Sequence, residues 1–263
     1  MTEQLGGRRE AGEASVLGHV SKPADRGLRD ATRHARPRGV FVTGTGTEVG
    51  KTVVAAAIAR TEAAAGRRVA VFKPAVTGLE DPGETDHALL RRAAGSSQSD
   101  AEIAPYRYQP PVSPHLGAEL AGEEIDPERL RAAVRAAAAS VDFLVCEGVG
   151  GLLVPLASRV CRGMRDKPDT SYLVRDLASD LGYPLVVAAS PGLGTISHTL
   201  LTLEAARSAG LEVAMVVLTP WPEEPSDIER SNRETIAGLG DVRVETLPPL
   251  DLSDPAGWPP LAP

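Results

Sequence analysis

Residues 40–59 read VFVTGTGTEVGKTVVAAAIA. An apolar run enters a glycine-rich turn, and Gly50, Lys51 and Thr52 then open an alanine-rich stretch of helical character. This order of residue types suits a phosphate. Glycines let backbone N–H groups approach phosphate oxygens, and the N-terminus of the following helix adds a favourable dipole. In such a loop Lys51 reaches β- and γ-phosphates, and the Thr52 hydroxyl binds Mg²⁺. The spacing is one residue longer than the usual pattern. Five residues separate Gly44 from Gly50, and Thr45 stands where the first glycine is ordinarily found.

Such a loop needs a particular scaffold. From Gly39 onward, short apolar runs alternate with helical stretches. Val40–Thr43 precedes a helix over Lys51–Ala65, and Val69–Phe72 precedes a loop and then His87–Ala94. Pro127–Ala139, Phe143–Cys146, Tyr172–Leu181, Leu185–Ala189 and Ile196–Ala209 continue the pattern. Val213–Leu218, Asp227–Leu239 and Val242–Glu245 close it. The apolar runs are nearly continuous, as in strands covered on both faces. The chain therefore reads as an α/β fold of the P-loop NTPase kind: a mostly parallel central sheet with helices on both faces. Ligands bind such sheets at the carboxyl ends of the strands, so the loops after Thr43, Phe72, Cys146, Ala189 and Leu218 belong to one edge. Residues 39–263 read as a single domain. Residues 1–38 carry eight Lys/Arg against five Asp/Glu with no sustained apolar period, and read as a disordered arm.

Composition removes several classes of function. The chain has 263 residues, 42% hydrophobic and 24% charged, enough to bury a substantial core. Aromatics are only 3%, so that core is aliphatic. A net charge of −7 argues against nucleic acid or anionic membranes as partners. No run approaches the ~18 apolar residues of a membrane span. The opening MTEQLGGRREAGEAS lacks the apolar segment of a secretory signal. Cys146 and Cys161 match no metal-ligand spacing and read as buried or incidental thiols in a reducing compartment. A cytoplasmic location is the expectation.

Six motifs follow one another in order: GTGTEVGKT at 44–52, KPAVTG at 73–78, TDH at 85–87, PYRYQPPVSPH at 105–115, CEGVGG at 146–151 and GLGTISHTLLT at 192–202. Together they resemble the dethiobiotin synthetases, whose members share the longer phosphate-loop spacing. The match runs from about Val40 to Leu250. It implies a ligase that takes 7,8-diaminononanoate, CO₂ (or bicarbonate as its source) and ATP or another nucleoside triphosphate, with Mg²⁺. In the family's scheme one amine captures CO₂ as a carbamate, whose oxygen attacks the γ-phosphate. The second amine then closes the ureido ring and expels phosphate. The resemblance places Glu48, Val49, Gly50, Lys51, Thr52 and Val53 on the nucleotide, with Asp86, Glu147, Gly148, Val149 and Gly150. It adds Thr219 and Pro220 after one strand and Pro248, Pro249 and Leu250 near the end.

The same resemblance makes Lys51 and Lys73 catalytic, Lys73 steadying carbamate and phosphate charge. Thr77 contacts the diamine, in a position where serine is common and either hydroxyl donates and accepts. Ser113, Pro114 and His115 form a substrate-side loop. Gly194, Thr195 and Ile196 hold the substrate carboxylate through backbone N–H groups at a subunit interface, so a homodimer is implied. Thr52, Asp86 and Glu147 would bind the metal, since Mg²⁺ takes hard oxygen ligands. Glu147 follows the apolar FLVC, where an uncompensated carboxylate is costly. Gly148, Gly150 and Gly151 allow close approach of backbone to ligand. His198 reads as a structural helix residue.

One departure bears on the base. Many members carry Asn-Asp after the strand equivalent to Val213–Leu218, and the asparagine amide reads adenine. This chain has Thr219-Pro220-Trp221, which lacks the paired donor and acceptor and leaves base preference open. Rival readings fit less well. A partitioning-type ATPase carries a lysine early in the phosphate loop, where this chain has Gly46. A glutamine-dependent amidoligase needs a further module that 263 residues do not accommodate. A non-catalytic nucleotide-binding module leaves Lys73, Asp86 and Glu147 without a purpose.

Overall fold

A computed structural model describes residues 38–157 and 171–263. The expected arm lies outside the described residues except for Arg38, which begins the first strand, and Cys161 lies outside them too. In chain order the elements are β1 (Arg38–Gly44), α1 (Lys51–Ala64), β2 (Val69–Phe72), β3 (Ala75–Val76), α2 (Asp86–Ala94), α3 (Asp100–Ile103), β4 (Tyr106–Arg107), α4 (Pro114–Ala121) and α5 (Pro127–Ala138). There follow β5 (Phe143–Gly151), β6 (Pro155–Ala157), β7 (Tyr172–Leu173), α6 (Val174–Leu181), β8 (Leu185–Ala189), α7 (Thr195–Ser208), β9 (Val213–Leu218), α8 (Asp227–Gly240) and β10 (Val244–Thr246).

Six strands form the central sheet in the order β10-β9-β8-β1-β5-β2, and every neighbouring pair is parallel. Side-chain alternation sends successive residues to opposite faces. Val40 and Val42 of β1 join a core with α1 and α2, whereas Phe41 joins a second core with α5 and α6. Further along the sheet, Val187, Ala189, Val216 and Leu218 pack with Leu203 of α7 and Ile236 of α8. α1 is buried over an unbroken run from Val54 to Ala59. Four of those six residues are alanines, so the helix lies close between the sheet, α2 and the C-terminal segment that carries Trp258 and Leu261. A helix buried this way has no amphipathic stripe to find.

The outer edge of β2 is met by a side chain. Val71 N–H donates to Gln98 Oε1 at 2.9 Å, and Gln98 Nε2 donates to the Val71 carbonyl at 3.1 Å. Lys73 N–H continues the edge by donating to the Ile103 carbonyl at 2.8 Å.

Several sequence expectations need correction. The stretch between Phe72 and His87 is not wholly loop: β3 pairs in parallel with β4, and α2 begins at Asp86. Tyr172–Leu181 is not one helix, since Tyr172 and Leu173 pair antiparallel with β6 before α6 starts. β5 does not stop at Cys146 but runs on to Gly151, because its far end pairs with Gly44 of β1 across an irregular register. Glu147, Gly148, Val149 and Gly150 are therefore strand residues. α4 begins at Pro114 rather than leaving residues 113–115 as a loop.

Candidate active site

The site grows from the turn between β1 and α1. Gly50 adopts φ 83° as it enters the helix, and a Cβ there would lie 2.6 Å from the Thr219 Cγ2. Both the backbone conformation and the contact demand glycine. Glu48 also has positive φ, 56°, a conformation that a side chain other than glycine's adopts at some cost. Lys51 is nearly buried and folds back over the loop, its Nζ donating to the Gly46 carbonyl at 2.5 Å. Burial lowers the Lys51 pKa and the Lys73 charge adds to that, while Glu147 and Asp86 oppose it.

Lys73 follows β2 and is 4% exposed. Its ammonium lies 2.6 Å from Asp86 Oδ2 and 2.6 Å from Glu147 Oε1. Burial alone would push this lysine down, but the two carboxylates outweigh burial and hold its pKa above the ordinary value. Asp86 opens α2 with a side chain 45% exposed. Burial works to raise its pKa, yet Lys73 and Thr52 hold the carboxyl below its usual range. Glu147 is fully buried, and burial pushes its carboxyl up, Asp86 adding and Lys73 and Thr52 opposing. Thr52 Oγ1 donates to Glu147 Oε1 at 2.9 Å.

One atom in this cluster has no partner: Glu147 Oε2 is buried and unbonded. A buried acceptor left unmade is costly, and a divalent cation on the same carboxylate would satisfy it. Thr52, Asp86 and Glu147 are all hard oxygen donors and fit Mg²⁺ completed by phosphate oxygens and water. Among the described residues no group of three or more His, Cys, Asp or Glu gathers at a metal-binding distance, so nothing here resembles a closed structural zinc site.

A cleft of about 470 Å³ brings together Glu48, Gly50, Lys51, Thr52, Val53, Lys73, Thr77, Asp86, Glu147, Val149 and Gly150. It is also lined by Thr47, Ala75, Glu84, Leu89 and Leu252. A larger groove of about 920 Å³ contains Arg68, Gln98 and Ala133 but none of the phosphate-loop residues, and its Arg68 is paired with Asp142.

Other expected site residues lie apart from the cleft. At Gly148 a Cβ would come 2.9 Å from Val174 Cγ1 and 3.1 Å from the Phe41 ring, so core packing here demands a residue without one. Gly151 lies beside the Gly44 carbonyl. Val49 packs on Gly44 and the α1 core. Thr219 is buried against Gly50, joined to Pro220 by a cis peptide bond. Leu250 packs on the α1 core just after Pro248 and Pro249, while Leu252 reaches the cleft. Ser113 precedes α4, of which Pro114 and His115 form the first turn. Gly194 precedes α7, with Thr195 buried and Ile196 packed on the third core. Sequence reasoning missed Thr47, Ala75 and Leu89, and more tellingly Glu84 and Leu252. Each of these last two is an ordinary loop residue locally, and only the fold carries it to the cleft.

Comparison with known proteins identifies the family. The family model described as an AAA domain matches residues 38–256. A protein of Rhodococcus erythropolis named ATP-dependent dethiobiotin synthetase is 39% identical over 80% of this chain and 87% of its own length. A protein of Anaeromyxobacter dehalogenans with the same name is 40% identical over 77% and 85%. The Bacillus subtilis protein of that name is 32% identical over 81% and 87%. The phosphate loop, the two-lysine cluster and these relatives converge, and the chain belongs to the dethiobiotin synthetase family.

Proposed function

We propose that this chain closes the ureido ring of dethiobiotin from 7,8-diaminononanoate and CO₂, consuming ATP. One observation carries the placement of the reaction: the Lys73 ammonium stands 2.6 Å from both Asp86 and Glu147, in the same cleft as Lys51 and Thr52. Phosphoryl transfer requires cations around the moving phosphoryl group and close positioning of the attacking oxygen. Lys51 at the start of α1 and Lys73 just after β2 supply two such charges at the same edge of the sheet.

The reaction runs in two parts. The diamine, bound near Thr77, gives one nitrogen to CO₂ as a carbamate. A carbamate oxygen forms a bond to the γ-phosphorus as the bond to the β-phosphate oxygen breaks, releasing ADP. The second amine then attacks the carbamoyl carbon of the mixed anhydride and phosphate leaves. Lys73 steadies the carbamate and the developing phosphoryl charge, and Lys51 steadies the β- and γ-oxygens, both acting as fixed, largely buried charges. Thr52, Asp86 and Glu147 would hold Mg²⁺, which when bound neutralises phosphate charge.

A homodimer is part of the proposal. Gly194, Thr195 and Ile196 do not line this chain's cleft, and neighbouring Leu193 is 94% exposed. This supports their serving the cleft of a second subunit, with Leu201, also exposed, in the contact. No helix among the described residues is long and apolar enough to cross a membrane, and the proposed location is the cytoplasm. The test is direct. Purified chain with ATP, Mg²⁺, bicarbonate and the diamine should release ring-closed product, ADP and phosphate together. Nucleotide hydrolysis indifferent to the diamine, without ring-closed product, would sink the proposal.

A further inference from the structure

We infer that Arg92 is a positioning residue for the nucleotide, a clasp joining two walls of the cleft; this rests on the reading of that cleft as the nucleotide site. The Arg92 guanidinium takes the Glu84 carboxylate side-on, Nε donating to Oε1 at 3.0 Å and Nη2 to Oε2 at 2.6 Å. The same Nη2 donates to the Leu252 carbonyl at 2.6 Å, across 160 residues of chain. Glu84 and Leu252 both line the cleft that contains Lys51, Thr52 and Lys73.

The two walls differ in what else holds them. The Glu84 wall is a loop that turns through Gly78 and Gly83, at φ 78° and 122°, before delivering Asp86 to α2. Glycines in these conformations leave the free loop many alternatives. The Leu252 wall belongs to the C-terminal segment, which is anchored on its other side to α1. There Arg60 Nε donates to the Pro255 carbonyl at 3.1 Å, and Leu261 N–H donates to Thr61 Oγ1 at 2.8 Å. Trp258 Nε1 closes the segment on itself through the Asp251 carbonyl at 2.7 Å.

Arg92 sits in the last turn of α2, which packs along α1, the helix that the phosphate loop opens. The clasp thus fixes both walls to the helix pair that presents Lys51, Thr52 and Asp86. A planar fork satisfies a carboxylate and a carbonyl at once; an ammonium on a flexible stem does not hold the same geometry. Without it the nucleotide must order the Glu84 wall and its junction with the Leu252 wall as it binds, and that cost appears as weaker affinity.

The experiment measures ATP binding by calorimetry, with KM for ATP, KM for the diamine and kcat, on full-length Arg92→Ala, Arg92→Lys and Glu84→Gln. Arg92→Ala should raise the Kd and KM for ATP about two- to five-fold, with kcat within about two-fold and the diamine KM unchanged. Arg92→Lys should fall between wild type and alanine. Glu84→Gln should weaken ATP in the same direction, and the double variant Arg92→Ala/Glu84→Gln should be little worse than Arg92→Ala alone. Should Arg92→Ala fold poorly, Arg92→Lys and Glu84→Gln carry the test. An unchanged ATP Kd, or a loss confined to kcat or to the diamine KM, overturns the clasp. Lys51→Ala separates the two readings: if it binds ATP as wild type does, the cleft is not the nucleotide site and the clasp falls with it. If it loses ATP while Arg92→Ala does not, the clasp alone is wrong.

Discussion

Replacing Lys73 by methionine removes a charge while nearly keeping its volume. At 2.6 Å from each carboxylate, and with an effective dielectric constant of ~20, each attraction is about 6 kcal/mol before desolvation. Asp86 is partly open, so its share is screened to about 1 kcal/mol or less. Glu147 is fully buried and loses its counter-charge, and breaking a buried pair costs about 3–5 kcal/mol. At ~2–4 °C per kcal/mol for a domain of this size, the melting temperature should fall by roughly 6–20 °C when nucleotide and Mg²⁺ are withheld. Catalysis should suffer separately. Losing one fixed charge aimed at the transition state lowers kcat by about 10²–10³-fold. Adding Glu147→Gln to Lys73→Met removes the stranded carboxylate, so it should recover most of the melting temperature and none of the activity. Calorimetric melting and steady-state product formation read the two effects. If Lys73→Met keeps kcat within ten-fold, or the double variant regains activity, Lys73 is a structural counter-ion and nothing more.

Other outcomes follow from neighbouring contacts. Lys51→Ala should lower ATP turnover at least ~10³-fold while the fold survives, since its one side-chain hydrogen bond goes to the Gly46 carbonyl and Lys73 still faces Glu147 and Asp86; circular dichroism and product assay together check it. Gly50→Ala should destabilise by about 2–4 kcal/mol, because it puts a Cβ against Thr219 Cγ2 at positive φ. Thr219→Ser in the same chain should recover part of that loss in urea titration, and no recovery would refute the contact. Thr219 N–H is held by the Ala189 carbonyl at 2.9 Å and Trp221 N–H by Leu247 at 2.8 Å, while Pro220 has none, so backbone donors after β9 are spent. Bases with an amine rather than a carbonyl at the adenine-N6 or cytosine-N4 position should therefore be favoured there, with ATP and CTP supporting faster turnover than GTP and UTP; equal rates for all four would contradict this. Burial pushes the Cys146 thiol far up, so a thiol reagent at pH 8 should leave it unmodified until the chain is unfolded, as peptide mass spectrometry would show.

What the sequence disclosed and what it hid divide along physical lines. The phosphate loop was legible because backbone approach, helix dipole, lysine and hydroxyl must follow one another at fixed spacing. The parallel sheet was legible from runs such as Leu185–Ala189, apolar throughout and buried throughout. Glu147 announced itself as an acid placed after four apolar residues. By contrast, the continuation of β5 through three glycines depends on pairing with Gly44, a contact made across a hundred residues of chain. β3 and β4 are two residues each and exist only as each other's partner. Nothing local at Gly148 reveals Val174, whose side chain leaves no room for a Cβ there. Glu84 and Leu252 carry no local mark, since their place is set by where two loops happen to meet.

The Gln98 amide on β2 has a consequence for the protein in a crowded cell. A parallel sheet ends in a row of open backbone groups, and another copy of the same chain is always available to pair with them. Gln98 imitates one residue of a further strand, offering an oxygen to Val71 N–H and an N–H to its carbonyl, and then stops. The imitation cannot propagate, because a side chain has no next residue to present. Gln98 on Val71, with the Ile103 carbonyl on Lys73 N–H, thus caps this edge against pairing with a second copy.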